Sequence, residues 1–388
     1  MNNIFSDTKE AFSLKTDFEL KRAYVLFKII GNSTFVKLTT SLTKFALKFH
    51  LPVTPIIKLS VFDHFCGGVT EEDCLAVIEK MYIEGNVCSV LDYSVEGKDE
   101  EASFDDALHK ILKILDFCEE KKSIPFAVFK PSGFGRFALY QKITKKKLLT
   151  DLEQLEWNRV EARFHKACKK AQEKNVPILI DAEESWMQDA ADALIENLME
   201  TYNKDKAIVF NTLQMYRHDR MDYLKKVYAK AQEKGYHIGM KVVRGAYMEK
   251  ERERAEEKGY RSPICDSKKD TDENYDAAIK FIMEHPKMAL FAGTHNENSS
   301  YLLMELANKY QIKKNDKHLW FGQLFGMSDH ISFNLAKEGY NVAKYLPFGP
   351  VRDVMPYLIR RAEENTSVAG QTSRELNLLS IERKRRKL

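Results

Sequence analysis

Hydrophobic positions follow two different rhythms along this chain. Over residues 1–84 they recur at helical spacing. Asp7-Thr-Lys-Glu10 reads as a cap ahead of Ala11, Phe12 and Leu14, and the period continues through 20–30 and 35–49. Leu51-Pro-Val-Thr-Pro55 interrupts it, and Thr70-Glu-Glu-Asp73 opens a further helix running through Tyr82. No strand pattern occurs here, so 1–84 is expected to be a helical N-terminal region. From about residue 85 short β-rich runs alternate with long amphipathic ones. The runs are 88–93, 126–129, 177–180, 207–210, 237–243, 288–293, 319–324 and 342–346, and each is followed by room for a helix. Eight such units predict an α/β fold, a TIM-type (β/α)8 barrel with parallel strands over 85–370. A doubly wound sheet would want a glycine-rich phosphate turn after a strand. Gly133-Phe-Gly135 continues as Arg-Phe-Ala and does not fit, and no P-loop occurs either.

The stretch after the eighth run has two patterned faces. Asp353 reads as an N-cap, and Pro356 falls in the first turn, where its missing N–H costs nothing. Met355, Leu358, Ile359 and Ala362 form an apolar stripe at i, i+3, i+4, i+7. Tyr357, Arg360, Arg361 and Glu364 repeat that spacing on the other side. Two guanidinium forks on one face suit a carboxylate, which Arg binds bidentately. The same residues also fit an exposed basic stripe with Tyr357 half buried.

Totals narrow the picture only in places. A net charge of +4 over 388 residues does not describe a nucleic-acid binder, which concentrates basic charge on one surface. The six cysteines are scattered without a C-x-x-C pair, which argues against a disulfide framework or a metal site and for a reducing compartment. No apolar run approaches the roughly 18 residues of a membrane span. Early acids in the first ten residues do not suit a signal or transit peptide. Residues 371–388 end in the run Glu382-Arg-Lys-Arg-Arg-Lys-Leu388, expected to be a solvated basic tail, with anionic lipid contact as its other reading.

In a barrel, chemistry sits at the C-terminal ends of the strands. Those ends carry Asp92 and Glu96, Lys130, Asp181 and Glu183, Asn211 and Gln214, Lys241 and Arg244 with Gly245-Ala-Tyr247, and Thr294-His-Asn296. The seventh gives Gln323, Leu324 and Gly326, and the eighth gives Tyr345. Singly each has a bland reading: Asp181 as a helix cap, Lys241 as a snorkelling side chain, His295 as a satisfied histidine. Together they describe a lined, strongly cationic pocket. One histidine among the strand ends disfavours metal catalysis. A phosphate substrate is poorly served by the turn after the seventh strand. A flavin with an anionic substrate fits best, because a flavin edge needs donors and acceptors such as Gln214.

Several of these pieces resemble proline dehydrogenases. They are Phe129-Lys-Pro131, Ile180-Asp-Ala-Glu183, Lys241-Val-Val-Arg-Gly-Ala-Tyr247, Phe291-Ala-Gly-Thr-His-Asn296, Tyr345-Leu-Pro-Phe-Gly349 and Tyr357-Leu-Ile-Arg-Arg-Ala-Glu-Glu-Asn365, in the family's order. The resemblance spans about 85–370. It implies an FAD-containing barrel that oxidises L-proline to 1-pyrroline-5-carboxylate, the first step of proline catabolism to glutamate. It implies that the last helix lies over the barrel mouth. Arg360 and Arg361 would grip the carboxylate with help from Lys130, and Leu324, Tyr345 and Tyr357 would pack around the ring. Asp181 and Ala182 would line the site beside the flavin, and Gln214 would touch its ring. Lys241 would supply a positive group near flavin N5, although many bacterial relatives have Arg there and Lys at the place of Arg244. Arg244, Gly245, Ala246, Tyr247, Thr294, His295 and Asn296 would border the FAD, and Glu364 would lie by the FAD or pair with the arginines. Electrons would pass to a quinone, which implies transient membrane contact of a cytoplasmic protein at the inner face of the membrane. With no aldehyde dehydrogenase portion in the sequence, only the first step is expected. A hydroxyproline dehydrogenase on the same scaffold and a non-catalytic barrel binding an anionic metabolite are the alternatives.

Overall fold

Eight short strands close into one barrel in sequence order. They are β1 (Cys88–Tyr93), β2 (Phe126–Phe129), β3 (Ile178–Ile180), β4 (Val209–Gln214), β5 (Ile238–Val243), β6 (Met288–Gly293), β7 (Leu319–Leu324) and β8 (Val342–Phe348). The computed structural model describes residues 3–31, 36, 54–93, 99–367 and 371–388, without the side chains of 54, 56, 59, 363–367, 371 and 372. Every registered pairing is parallel, including β1 with β8, where Val90 faces Tyr345. By packing, the chain divides into two compact units, Met1–Glu96 with Gln323–Leu388, and Gly97–Gly322.

Within the second unit an aromatic floor fills the barrel interior. The Phe126 ring meets Phe210, Phe291 and Trp320 edge-on, at centroid distances of 5.8, 5.3 and 5.2 Å. Two strand glycines make room for it. A Cβ at Gly239 would lie 2.5 Å from the Phe210 ring, and one at Gly322 would lie 2.2 Å from Phe291. The floor puts the polar layer above it, toward the C-terminal strand ends.

β4 runs later than the expected 207–210. Its polar residues sit inside the strand because each has a partner there. Asn211 is fully buried and donates outward to Asp192 and the Tyr223 hydroxyl, and Thr212 Oγ1 donates to the Ile180 carbonyl. Asn211 is therefore a brace to the helical layer rather than a strand-end pocket residue. Side-chain alternation then turns Gln214, the last residue of β4, to the side opposite Asn211.

The N-terminal region is helical where it is described. Thr16 with Glu19 and Thr70 with Asp73 form capping boxes that start the helices Asp17–Ile30 and Glu71–Gly85. Most of the expected helix at 35–49 lies outside the described residues. The tail departs from expectation. Residues Gln371–Arg385 form a helix whose Leu378 and Leu379 are fully buried against Ala11, Phe12, Leu20, Ala23 and Phe27. Glu382, also fully buried, accepts from Arg385 and Arg386, and Arg386 donates to the carbonyls of Phe12 and Lys15. The adjacent leucines, at positions where helical spacing buries them, tie down the basic run that follows. Among the described residues no helix is long and apolar enough to cross a membrane.

Candidate active site

In the Gly97–Gly322 unit, the polar layer is built from the ends of β2 to β6. Lys241 lies two residues inside the end of β5 and is only 6% exposed. Its Nζ reaches Asp181, just past β3, at 2.5 Å. The strand between them, β4, pairs with both β3 and β5, so the ion pair joins alternate strands across one interior layer. Burying an ammonium is costly unless a carboxylate meets it, and Asp181 does so. The pair excludes the two bland readings. Asp181 does not cap the next helix, which starts at Ser185 with Glu184 as its N-cap residue, and Lys241 does not snorkel to water.

Gln214, at the end of β4, is fixed by Glu183. Its Nε2 donates to the Glu183 carbonyl at 3.0 Å, which settles the orientation of the amide. The other end, Oε1, is then a buried acceptor with no protein donor. Such an atom takes an N–H or O–H from outside the chain, a water or a ligand. Glu183 has a second task. Its carboxylate accepts from the Ser132 N–H at 2.8 Å and the Ser132 hydroxyl at 2.6 Å. Those bonds tie the turn Lys130-Pro-Ser-Gly133, and with it half-buried Lys130, to the end of β3. Burial pushes the Glu183 carboxyl up to about 7, against the Ser132 bonds and the Lys130 charge, which pull it down. Ser132 is a supporting residue that the sequence did not reveal, since a lone serine in a turn has no pattern of its own.

Arg244 is more committed than a strand-end cation needs to be. Its three nitrogens donate to Asp272 at 2.6 Å, Thr294 Oγ1 at 2.8 Å and Ser299 Oγ at 2.9 Å, and its guanidinium stacks 4.4 Å from the Tyr275 ring. Arg244 thus braces the end of β6 with three of its five N–H donors. Thr294 accepts also from the Asn296 N–H, and Asn296 caps the helix Glu297–Lys309. His295 lies half buried between them. After Arg244 the chain turns at Gly245, φ +136°, flat against Tyr216; a Cβ there would come within 2.5 Å of that ring. Only glycine allows both the conformation and the approach. Gly245 and Ala246 are exposed, and Ala182 and Tyr247 half buried, so this turn offers backbone to a ligand.

The other unit holds the second set of residues. The helix Met355–Ser367 starts two residues after Asp353, because Leu358 N–H donates to the Val354 carbonyl, making Val354 the N-cap residue. Pro356 lies in the first turn as expected. The supposed polar face is not solvated: Tyr357 and Arg361 are each 5% exposed, as deeply buried as Leu358 on the apolar stripe. Tyr357 packs in one cluster with Leu358, Met355, Phe62, Phe65 and Met327, and Leu324 rests against it. The Arg361 guanidinium stacks 5.1 Å from the Tyr357 ring. Arg360 is half buried, and the side chain of Glu364 lies outside the described residues.

The β7 end in this unit is carried on a buried ionic frame. Lys344 of β8 donates to the Met327 carbonyl at 2.7 Å and pairs with Asp329 at 2.6 Å; Lys15 meets the other Asp329 oxygen at 2.9 Å. Between Leu324 and Asp329 the chain turns at Gly326, φ +76°, whose carbonyl accepts from His64 Nε2. Burial pushes the His64 imidazole down to about 3, so it is neutral. Since Lys344 points to this frame, its strand neighbour Tyr345 points to the opposite face of the sheet. Among the described residues no group of three or more His, Cys, Asp or Glu could hold a metal ion.

Comparison with known proteins bears on the family and the fold. The proline dehydrogenase family model matches residues 74–374. A carbapenem antibiotics biosynthesis protein, CarD, of Pectobacterium carotovorum subsp. carotovorum is 34% identical over 368 residues, covering 93% of this chain and 94% of that protein. Mitochondrial proline dehydrogenase 1 of Arabidopsis thaliana is 32% identical over 380 residues, covering 86% of this chain and 76% of that protein. Among solved structures, proline utilization A of Bdellovibrio bacteriovorus, inactivated by N-propargylglycine, superposes with a TM-score of 0.72 at 20% identity over 95% of this chain. The chain spans 40% of that protein's length, and at this identity the likeness shows the barrel fold alone. On the family match and the sequence relatives, the chain belongs to the proline dehydrogenase family, oxidoreductases of proline catabolism.

Proposed function

We propose that this chain uses FAD to oxidise L-proline to 1-pyrroline-5-carboxylate and passes the electrons to a quinone through transient membrane contact. The observation that carries the flavin reading is Gln214 Oε1, a buried acceptor fixed by the Glu183 carbonyl and lacking a protein donor. Bound there, FAD supplies the two-electron acceptor for the hydride leaving the proline ring carbon beside nitrogen. Lys241, held by Asp181, keeps a positive charge against the flavin. Ala182, the Gly245-Ala-Tyr247 turn and Thr294-His-Asn296 border it, with Arg244 fixing Thr294 in place. Glu364 belongs to the same proposed set.

Arg360 and Arg361 take the proline carboxylate, with Lys130 as a third cation. Leu324, Tyr345 and Tyr357 enclose the ring. Holding substrate in one orientation can lower the barrier by several kcal/mol, at the upper end about 7–11. The purified protein should carry FAD, and anaerobic L-proline should bleach its visible absorbance. A colourless protein that stays inactive after reconstitution with FAD would sink this reading.

Tyr345 favours proline over trans-4-hydroxy-L-proline. Its phenol, 7% exposed and facing away from the Lys344 frame, takes the volume that a ring hydroxyl needs. Steric discrimination of this kind is worth about 1–3 kcal/mol. Tyr345→Ser should therefore narrow the ratio of kcat/KM values for the two substrates, mainly by lowering the value for proline. A wild-type preference for hydroxyproline would move the chain to that alternative.

A further inference from the structure

One surface has no part in the reaction and an unusual make-up. After the helix Phe137–Thr144 the chain reverses at Lys146, φ +53°, then begins the helix Asp151–Lys174 with Thr150 as its cap. Lys145, Lys146 and Lys147 are all exposed in that reversal. Immediately after them come three leucines that water covers: Leu148 is 94% exposed, Leu152 78% and Leu155 56%. Leu152 and Leu155 lie three residues apart on the first turns of the helix and so share a face. The charges nearby do not cancel the lysines. Lys142 pairs with Glu153, and Arg136 with Glu156, which leaves three lysines against the exposed Asp151.

We propose that this ridge, residues 145–155, docks the protein on an anionic lipid surface, with the leucines entering the acyl boundary and the lysines at headgroup phosphates. Clustered lysines beside exposed apolar side chains are the composition that binds such an interface. A second copy of the chain is a poorer occupant, because a two-fold contact through the leucines would set each lysine cluster near its own image. An acidic protein partner would want a groove or flat face, whereas Leu148, 94% exposed, projects into water. In the tail helix Arg385 and Arg386 are engaged with Glu382, and its exposed apolar surface is the single Ile381, 45% exposed, against three leucines on the ridge.

The test uses the full chain, without substrate, and vesicles of phosphatidylcholine alone or mixed with phosphatidylglycerol, read by co-sedimentation. Wild type should sediment with the mixed vesicles, less so in high salt, and weakly with phosphatidylcholine alone. Lys145→Gln/Lys146→Gln/Lys147→Gln should abolish the preference for the anionic vesicles, at about fivefold in partitioning per lysine. Leu148→Ser/Leu152→Ser should lower the bound fraction about tenfold or more while turnover with a soluble acceptor stays at the wild-type level. Absence of vesicle binding by wild type, or equal binding by wild type and both variants, would overturn the proposal. So would a dimer seen by light scattering that the leucine variant dissolves, which would make the ridge an interface between copies. The ridge deepens the membrane contact of the proposed function; because no substrate is present, failure here removes that contact and leaves the proposed oxidation of proline standing, and a failed flavin test leaves the ridge standing.

Discussion

Arg361→Met should raise the proline KM by roughly 30- to 150-fold, the equivalent of about 2–3 kcal/mol for a charge-assisted bond to a carboxylate. Burial sets the size. Arg361 is 5% exposed and stacked on Tyr357, so its fork is already oriented and little entropy is lost when a carboxylate arrives. Methionine keeps much of the aliphatic stem, so the packing around Tyr357 survives and the lost charge is what the assay reads. Arg360 is half buried and more hydrated, and Arg360→Met should cost less, on the order of tenfold. Flavin content should stay near wild type in both variants, since neither residue is assigned to the cofactor. Steady-state kinetics with proline decide the matter: a variant that kept the wild-type KM would show that its arginine is not a carboxylate ligand.

The barrel was legible because its strands are short apolar runs separated by helix-length amphipathic ones. β1, β2, β6 and β7 fall where the pattern puts them. β4 did not, because Asn211 and Thr212 look like a strand end until their partners are known. Asp192 and Tyr223, which hold Asn211, are 19 residues before it and 12 after it, and no local rule links them. The same blindness hid the nature of the Met355–Ser367 helix. Spacing showed two faces; only packing shows that Tyr357 and Arg361 are both inside. Strand-end reading found Asp181 and Lys241 separately, 60 residues apart, and their pairing is a fact of the closed barrel. Arg244 shows the same limit. As a letter after a strand it counted toward a cationic mouth, and nothing in the pattern shows that Asp272, Thr294 and Ser299 take three of its five N–H donors. The tail's helix was missed because a charge run was weighed without Leu378 and Leu379 just before it, although Lys384, Arg385 and Lys387 are exposed as expected.

Asp329 should prove the most costly single residue to remove from the Met1–Glu96 and Gln323–Leu388 unit. Its two oxygens meet Lys344 and Lys15, and Lys344 is 1% exposed. Asp329→Ala leaves the Lys344 ammonium buried with carbonyl partners only, a loss of about 3–5 kcal/mol at neutral pH. Replacing both, Asp329→Ala with Lys344→Met, should cost less than the two single changes added, because no uncompensated charge remains. The loss should depend on pH with a definite sign. Burial pushes the Asp329 carboxyl up, but Lys15 and Lys344 together pull it further down, well below the usual carboxylate range. A carboxyl lowered in the folded state binds its proton less tightly there than in the unfolded chain. Its contribution is therefore complete above about pH 4, the ordinary aspartate range, and fades as the pH falls further. Urea midpoints of wild type and Asp329→Ala should be far apart at pH 7 and draw together below pH 4. The frame also carries Leu324, since Lys344 holds the Met327 carbonyl three residues on and Leu324 packs against the Tyr357 cluster. Proline KM should rise in Asp329→Ala even under conditions where the variant is fully folded. A gap between the midpoints that stayed the same from pH 7 to pH 3, or a loss below about 1 kcal/mol, the scale of an exposed pair, would show that the frame is not held by this carboxylate.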